Sequence, residues 1–237
     1  MSRGIMLEAY LTIDDGPTAN TKEKLDFLSS KSIDAVLFCT GENISKHIEQ
    51  ADYAIKNNFT IGNHSYSHAN FSEIGTKACL EEIDKAEKII DYAYISANSI
   101  RSDRYFRYPY GAKGNALPNK RPSVANRLSI KTNVINNHLK HLGIKPINLK
   151  KHSAYYKPQR FLLTKNYDSP WTMDMDEWRI MNNVDYNLLE QRIYNEVPKL
   201  HGKAIILMHD HKRSHEYFER IINNLEECGV RFMDIKS

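Results

Sequence analysis

Short apolar runs alternate with amphipathic segments along most of this chain of 237 residues. The clearest amphipathic segment covers residues 76–92, where Leu80, Ile83, Ala86 and Ile90 keep a helical spacing with charged residues between them. Such alternation predicts an α/β fold in which parallel strands are covered by outer helices. A chain of this length can form one such domain with a substantial core. The runs of strand type are residues 7–13, 35–39, 59–62, 104–108, 204–208 and 230–235.

Five polar segments follow predicted strands, and this placement predicts that they meet. In an α/β barrel the loops after the strands converge on one mouth, where side chains from different segments can share a site. Each segment also has an ordinary explanation, such as a turn, a solvent-facing histidine pair or a core histidine. All five explanations would have to hold together, in this order, if the chain had no site. The segments are residues 14–15, 64–68, 107–111, 171–178 and 207–209.

The residue types in the first two segments indicate metal-assisted hydrolysis. Two adjacent carboxylates, Asp14 and Asp15, follow the first predicted strand, and two imidazoles, His64 and His68, follow the third. One carboxylate and two imidazoles form a three-ligand metal site that keeps a coordination position for water. The second carboxylate can then take a proton from that water. These residues therefore predict a hydrolase with a divalent metal.

The segments resemble the signature of the polysaccharide deacetylase family, also called carbohydrate esterase family 4 or the NodB homology domain. Residues 12–17 (TIDDGP) resemble its T-F-D-D-G-P segment, and residues 64–68 (HSYSH) resemble its H-[ST]-x-x-H segment. Residues 107–111 (RYPYG) resemble its R-x-P-Y-G segment. Two weaker segments follow in the expected order, D-x-x-x-W at residues 174–178 and L-x-H at residues 207–209. The resemblance covers nearly the whole chain and implies a distorted (β/α) barrel that removes acetyl groups from N-acetylated sugars.

The resemblance also implies a role for each matching residue. Asp14 resembles the catalytic base, and Arg107 resembles the residue that pairs with the base and keeps it ionised. His209 resembles the general acid, and Tyr110 resembles the residue whose backbone N–H joins the metal in holding the oxyanion. The metal ligands are implied to be Asp15, His64 and His68, and the substrate-binding residues to be Trp178, Leu207 and Pro109, the first two as walls of the acetyl pocket.

Two positions depart from the family pattern. Ile13 stands where the family usually has Phe, which is a conservative change in a strand. Glu177 stands where an Asp usually supports the catalytic histidine, and its side chain is one methylene longer. We expect Glu177 to support His209, with Asp174 or Asp176 as alternative partners.

The implied cofactor is Zn²⁺, although Co²⁺ or Ni²⁺ bind the same ligands. The implied substrate is an N-acetylated glycan or glycolipid. An O-deacetylase acting on an acetylated polysaccharide is the nearest alternative, because the same fold and metal cleave esters. A non-catalytic module that binds an anionic glycan is a third alternative, but it would not need Asp14, Arg107 and His209. We expect no nucleic-acid partner, because few aromatic residues accompany the basic ones.

Charge is distributed unevenly along the chain. It has 33 basic and 29 acidic residues and a formal net charge of +4. Residues 112–167, here called the basic region, contain 12 Lys and Arg and no Asp or Glu, so the other residues carry about −8. The basic region is either a solvated surface or a surface for an anionic substrate or an anionic membrane, with peripheral contact only. We expect it to be an insertion-like part of one catalytic domain spanning residues 1–237.

Neither a membrane helix nor a leader is predicted. No apolar run approaches the length of a membrane span, and residues 1–10 have no apolar leader core or cleavage site. Cys39, Cys79 and Cys228 show neither a disulfide framework nor metal-ligand spacing. We therefore expect reduced thiols in a cytoplasmic protein, with the inner membrane face as one place of action. A secreted protein whose leader has been removed is the alternative.

Overall fold

The computed structural model describes residues 7–113, 122–147, 167–177, 186–200, 202–211 and 215–235. These residues belong to two compact units. The first unit contains residues 7–37 and the described residues from 171 to 235. The second unit contains residues 38–113, 122–147 and 167–170.

The first unit is built on parallel strands. β1 (Leu7–Asp14) pairs in parallel with β5 (Lys203–His209), and the register places Asp14 opposite His209. β4 (Met173–Asp174) pairs in parallel with β5, and β6 (Val230–Phe232) pairs in parallel with β1. β2 (Ala35–Cys39) neighbours β1, and its last two residues belong to the second unit. Most residues of β1, β2 and β5 are buried, as expected for strands covered on both faces.

Three helices of the first unit bury apolar faces: α1 (Thr21–Ser30), α6 (Tyr186–Glu196) and α7 (His215–Glu227). Leu25 and Leu28 of α1 are almost fully buried, as is Phe218 of α7. The rings of Phe27 and Phe218 meet edge to face with their centroids 6.4 Å apart. Burying each of the side chains of Leu25, Leu28 and Phe218 stabilises the fold by about 1.5–3 kcal/mol. The contact holds α1 against α7 and so restrains the loop between Asp14 and α1.

The second unit contains four helices in its described residues: α2 (Gly41–Lys46), α3 (Ile48–Lys56), α4 (Thr76–Ser96) and α5 (Pro122–His141). Its strand β3 (Thr60–Asn63) neighbours β2. A 3₁₀ turn covers Pro109–Gly111. Helices α4 and α5 pack on one core, so the helical spacing at Ile135 and Leu139 is a buried face. That core consists of Phe71, Cys79, Ile83, Phe106, Tyr108, Ile135, Leu139 and Ile144.

The predicted α/β class with parallel strands and outer helices is confirmed. The predicted strand at residues 104–108 is wrong, because only Phe106 forms a bridge, to Asn63. The backbone of Asn63 donates to Tyr105 O and accepts from Arg107 N. Since β3 ends at Asn63, the ladder has no further partner residues. The closing strand is also shorter than predicted, and it ends at Phe232.

Two expectations about the chain as a whole are tested only in part by the structure. Within the described ranges, no helix is both long and apolar enough to cross a membrane. Residues 114–121 and 148–166 of the basic region lie outside the described residues. The expectation of a single catalytic domain stays a prediction.

Candidate active site

The carboxyl ends of β1 and β5 place a carboxylate beside an imidazole in the first unit. Asp14 ends β1, His209 ends β5, and the two residues are register partners. The Asp14 side chain is buried, and its backbone oxygen accepts a hydrogen bond of 2.7 Å from Asp210 N. Two parallel strands that end in register therefore bring together the residues expected to act as base and acid.

Glu177 holds His209 through both of its oxygens. Oε1 accepts from the backbone N–H of His209, and Oε2 lies 3.4 Å from His209 Nδ1. Glu177 is buried, and its extra methylene, relative to the Asp usual in the family, lets one carboxylate meet both groups. Burial of the imidazole opposes its protonation. The hydrogen bond and charge of Glu177, with the charges of Asp14 and Asp174, outweigh burial and raise the pKa of His209 to about 10.

The two alternative partners of His209 are less well placed. Asp174 Oδ1 is 3.9 Å from His209 Nδ1, and burial raises the pKa of Asp174 to about 6. Asp176 forms an ion pair of 2.6 Å with Arg192. Asp174, Glu177 and His209 are also a group of metal-ligating type, with ligand atoms within 4.8 Å of one another. Because Glu177 hydrogen-bonds the His209 backbone and lies next to its ring, we assign this group to proton transfer.

Asp15 follows β1 with a positive φ of 68°. Its Oδ2 lies 3.4 Å from His211 Nε2, and the His211 ring stacks on His209 with centroids 5.8 Å apart. Burial lowers the pKa of His211, so a neutral ring is favoured. Sequence reasoning missed His211, and its position two residues after the L-x-H histidine was the available signal.

A buried ion pair fastens the loop after β1, and sequence reasoning missed it too. Lys24 Nζ and Asp210 Oδ1 are 2.5 Å apart, and both side chains are 1% exposed. Asp210 also accepts from the N–H and hydroxyl of Thr18 and from the hydroxyl of Thr21. The pair therefore joins α1, the loop after Asp15 and the segment after His209. Neither partner belongs to a recognisable motif, so only the fold could reveal it.

His64 and His68 lie together in the second unit, on the loop that follows β3. Their ring centroids are 4.9 Å apart. His64 Nδ1 is 2.9 Å from the backbone oxygen of Arg107. A carbonyl oxygen only accepts, so Nδ1 carries the proton and Nε2 is the nitrogen of ligand type. The segment from His64 to His68 is a loop in which Ser65 and His68 have positive φ.

The 107–111 segment combines one buried cation with one exposed ring. Arg107 is buried over the ring of Phe38, with its guanidinium carbon 4.2 Å from the centroid. Its Nε donates to Ser169 O at 2.8 Å. Tyr110 has φ 57°, and its exposed ring lies 4.5 Å from the His68 ring. This segment therefore packs against the histidine pair within the second unit.

The expected substrate-binding residues are placed in part. Leu207 is buried in β5 and is the register partner of Asp174 in β4. Pro109 is buried at the start of the 3₁₀ turn. Trp178 lies outside the described residues.

The donor chemistry of these side chains fits a divalent metal of the zinc type. The structure supplies two imidazoles side by side, one with its protonation fixed by a backbone carbonyl, which is how metal-ligating histidines are usually oriented. Asp14 ends β1 and Asp15 follows it, so two carboxylates are adjacent there. Imidazole and carboxylate ligands suit Zn²⁺, Co²⁺ and Ni²⁺.

A family model described as polysaccharide deacetylase matches residues 7–132 of the chain. Among curated proteins, the peptidoglycan-N-acetylglucosamine deacetylase of Bacillus cereus is 24% identical over 242 residues. That alignment covers 97% of this chain and 67% of the relative.

Solved structures show the same fold. A pseudoenzyme of carbohydrate esterase family 4 from Bacillus anthracis aligns with a TM-score of 0.62 at 19% identity, over 98% of this chain and 64% of that one. The peptidoglycan deacetylase PdaC from Bacillus subtilis aligns with a TM-score of 0.61 at 20% identity, over 98% of this chain and 89% of that one. The barrel-like deacetylase fold is therefore confirmed. The chain spans about two thirds of the length of the first two of these relatives.

Proposed function

The chain belongs to the polysaccharide deacetylase family, and from this premise we propose that it is a metal-dependent hydrolase of N-acetyl groups. The proposed substrate is a glycan or glycolipid that contains N-acetylhexosamine. The observation that most supports catalysis is the register pair of Asp14 and His209, a carboxylate beside an imidazole whose pKa is raised to about 10. A binding module would have no use for a charged acid placed next to a base.

We assign Asp15, His64 and His68 as the ligands of Zn²⁺, with Co²⁺ or Ni²⁺ as alternatives. When bound, such a metal lowers the pKa of a coordinated water to near 7 and polarises a carbonyl. His64 is already oriented for this role by the backbone oxygen of Arg107. The family resemblance supports the choice of Asp15 over Asp14 as the ligand.

Asp14 is assigned as the general base that takes the proton of the attacking water. The role requires an ionised carboxylate, and a nearby guanidinium favours that form. Family resemblance gives this task to Arg107, which is buried and carries its charge beside Phe38. General base catalysis of this kind contributes roughly 10²- to 10⁴-fold in rate.

The tetrahedral intermediate and the leaving amine need one donor each. The backbone N–H of Tyr110 is assigned to the oxyanion, and one such donor is worth about 3 kcal/mol. His209 is assigned as the acid that protonates the amine nitrogen, because an amide anion is a very poor leaving group. Its raised pKa keeps the proton available at neutral pH. Leu207, Pro109 and Trp178 are assigned to the walls that hold the acetyl group and sugar.

The sugar itself is proposed by analogy with the relatives. The Bacillus cereus relative and PdaC carry peptidoglycan in their names, so a peptidoglycan-type N-acetylglucosamine polymer is the first substrate to try. An anionic or lipid-linked substrate at the inner membrane face is proposed from the basic region. Three of its described lysines already have partners within the second unit: Lys113 with Asp168, Lys131 with backbone carbonyls, and Lys145 with Asp103. Less charge is therefore available for a substrate than the count of 12 suggests.

Acetate release tests the proposal directly, because a relative with the same fold is a pseudoenzyme and fold alone does not imply activity. The substrates are N-acetylglucosamine oligomers, peptidoglycan and one O-acetylated polysaccharide, each with chelator and then with Zn²⁺ restored. We expect chelator-sensitive release from an N-acetylated substrate by the natural chain and not by Asp14→Asn. Release from the O-acetylated substrate alone would replace the proposal with an esterase. Chelator-resistant release would contradict metal dependence.

A further inference from the structure

We propose that Glu82 of α4 is a positioning residue that holds the loop carrying the histidine pair in its metal-binding conformation. The inference rests on the proposed function, since it takes His64 and His68 as metal ligands. Glu82 touches neither imidazole. It acts on two of the three residues between them, Tyr66 and Ser67, and all of its contacts lie within the second unit.

The histidine loop, residues 64–68, needs support from outside itself. Ser65 has φ 64° and His68 has φ 60°, and neither is glycine. Left-handed backbone at such residues is costly and persists only where the surrounding structure enforces it. Ser65 is buried, whereas Ser67 at the tip of the loop is exposed. The tip therefore has no core packing of its own and depends on polar contacts.

Glu82 supplies those contacts with one carboxylate. Oε2 accepts from the backbone N–H of Tyr66 at 3.0 Å and from that of Ser67 at 2.7 Å. Oε1 accepts from the Ser67 hydroxyl at 2.9 Å. All three donors bind one carboxylate, so these hydrogen bonds are charge-assisted. Charge-assisted hydrogen bonds are about twice as strong as neutral ones. The two backbone bonds restrain φ and ψ between His64 and His68, and so restrain the separation of the two rings.

Other residues hold the first half of the histidine loop and two of its carbonyl groups. Asn63 anchors the first half, because its Oδ1 accepts from Ser65 N at 2.8 Å while its Nδ2 donates to Ile83 O. On the opposite side, Gly41 N and Glu42 N of α2 donate to the carbonyls of residues 65 and 66, both at 3.0 Å. In the second half of the loop, Glu82 accepts from the backbone N–H groups of Tyr66 and Ser67.

Close packing keeps the loop between the two helices. A Cβ on Gly41 would lie 2.6 Å from Cδ2 of Tyr66 and 3.3 Å from the Cα of Ala86, so only glycine allows this approach. Lys85, one turn from Glu82, lies over the Tyr66 ring at 3.3 Å from the centroid. The Tyr66 ring therefore fixes the position of the loop on α4, and Glu82 fixes the direction of the loop's N–H groups.

The test compares Glu82→Gln, Ser67→Ala and the control Glu81→Gln. Glutamine keeps the size of Glu82 but has one acceptor oxygen and turns an N–H₂ group toward donors. Ser67→Ala removes a single bond at an exposed residue and should fold even if Glu82→Gln does not. Glu81 is exposed on the same helix and forms an ion pair of 3.7 Å with Lys77, so its change should have no effect.

Two readouts are measured on each protein, well below its unfolding temperature. The first is Zn²⁺ affinity by competition with a chelating dye. The second is amide hydrogen exchange at residues 66 and 67 in the metal-free protein. We expect Glu82→Gln to lower Zn²⁺ affinity about tenfold, within the range for residues that orient ligands, and to speed exchange at these two amides alone. Ser67→Ala should lower affinity by about two- to threefold.

The outcomes separate this inference from the proposed function. Unchanged Zn²⁺ affinity in Glu82→Gln, with a natural chain that binds Zn²⁺, would overturn the positioning role and leave the metal site standing. Faster exchange throughout the protein would assign Glu82 to general stability and also overturn the role. If the natural chain binds no Zn²⁺, the metal proposal and this inference both fail. Partial recovery of affinity in Glu82→Asp would support the role, since the charge is kept and only reach is lost.

Discussion

Asp14 and His209 occupy paired positions at the carboxyl ends of two adjacent parallel strands, β1 and β5. The pairing gives a carboxylate and an imidazole a fixed separation that no loop has to maintain. Glu177 then contacts the same imidazole from the segment after β4. Three consecutive neighbours in one sheet thus position the proposed base, the proposed acid and the residue that keeps this acid charged, and this arrangement leads to separate predictions for each.

Glu177→Gln should move the basic limb of the pH–activity profile to lower pH. His209 acts as the protonated acid, so activity of the natural chain should persist to high pH and fall as pH passes through about 10. Without the Glu177 charge, the largest influence that raises the pKa of His209 against the effect of burial is lost. The basic limb of the profile should then move to lower pH by more than about one pH unit. The measurement is kcat against pH, with the exposed Glu219→Gln as control. A basic limb at the same pH in both variants would contradict the role of Glu177.

The raised pKa of His209 also makes the stability of the folded state depend on pH. A pKa raised from 6.5 to about 10 means that the protonated His209 stabilises the folded state fully below pH 6.5, and that this contribution is lost as pH rises toward 10. In the Glu177→Gln variant, the loss of stability over the same pH range should be smaller, because the pKa of His209 is raised less. Urea unfolding of both proteins at several pH values provides this check.

His209→Ala should slow amide cleavage far more than cleavage of an activated ester. The amine leaving group of an N-acetyl sugar needs a proton, whereas an aryl oxide leaves without one. We expect kcat for the amide to fall roughly 10²- to 10⁴-fold and kcat for an aryl acetate to fall less than about tenfold. The measurement is the ratio of the two rates in each protein. Equal losses on both substrates would mean that His209 does not act as the leaving-group acid.

The two adjacent carboxylates should separate into one that binds metal and one that does not. Asp15→Asn should lower Zn²⁺ affinity by more than the roughly 10- to 100-fold typical of outer partners. Asp14→Asn should keep Zn²⁺ affinity and lose roughly 10²- to 10⁴-fold in kcat. Zn²⁺ titration of the apoproteins and acetate release distinguish the two. If Asp14→Asn binds less metal than Asp15→Asn, the roles of the pair are exchanged.

Lys24→Met should destabilise the protein strongly. It leaves Asp210 buried without its cation, and breaking such a pair from one side costs about 3–5 kcal/mol. The matched control is Lys22→Ala, which removes an exposed ion pair with Asp26 on the same helix and should cost less than about 1 kcal/mol. Urea unfolding measures both. A loss for Lys24→Met as small as the control would show that the pair does not stabilise the fold.

Local patterns predicted most of the strands and helices correctly, and they failed where a partner strand was needed. Residues 35–39 and 76–96 form β2 and α4 close to where periodicity placed them. Residues 104–108 look like a strand, yet form only one bridge because β3 ends opposite Phe106. Apolar composition allows an extended segment but does not create the neighbouring backbone that a ladder requires.

The residue types of the site could be predicted from the sequence, because metal binding and proton transfer require particular side chains. Those side chains also occur in the expected order along the predicted strands. Residue identity and order were enough to predict the candidate base, acid and ligands and the family to which they point. The folded structure was needed to show that Glu177 is closer to His209 than Asp174 is, that Lys24 neutralises Asp210, and that Glu82 contacts the loop between His64 and His68. These choices depend on distances and burial between residues 15 to 186 positions apart, and linear spacing carries no information about either.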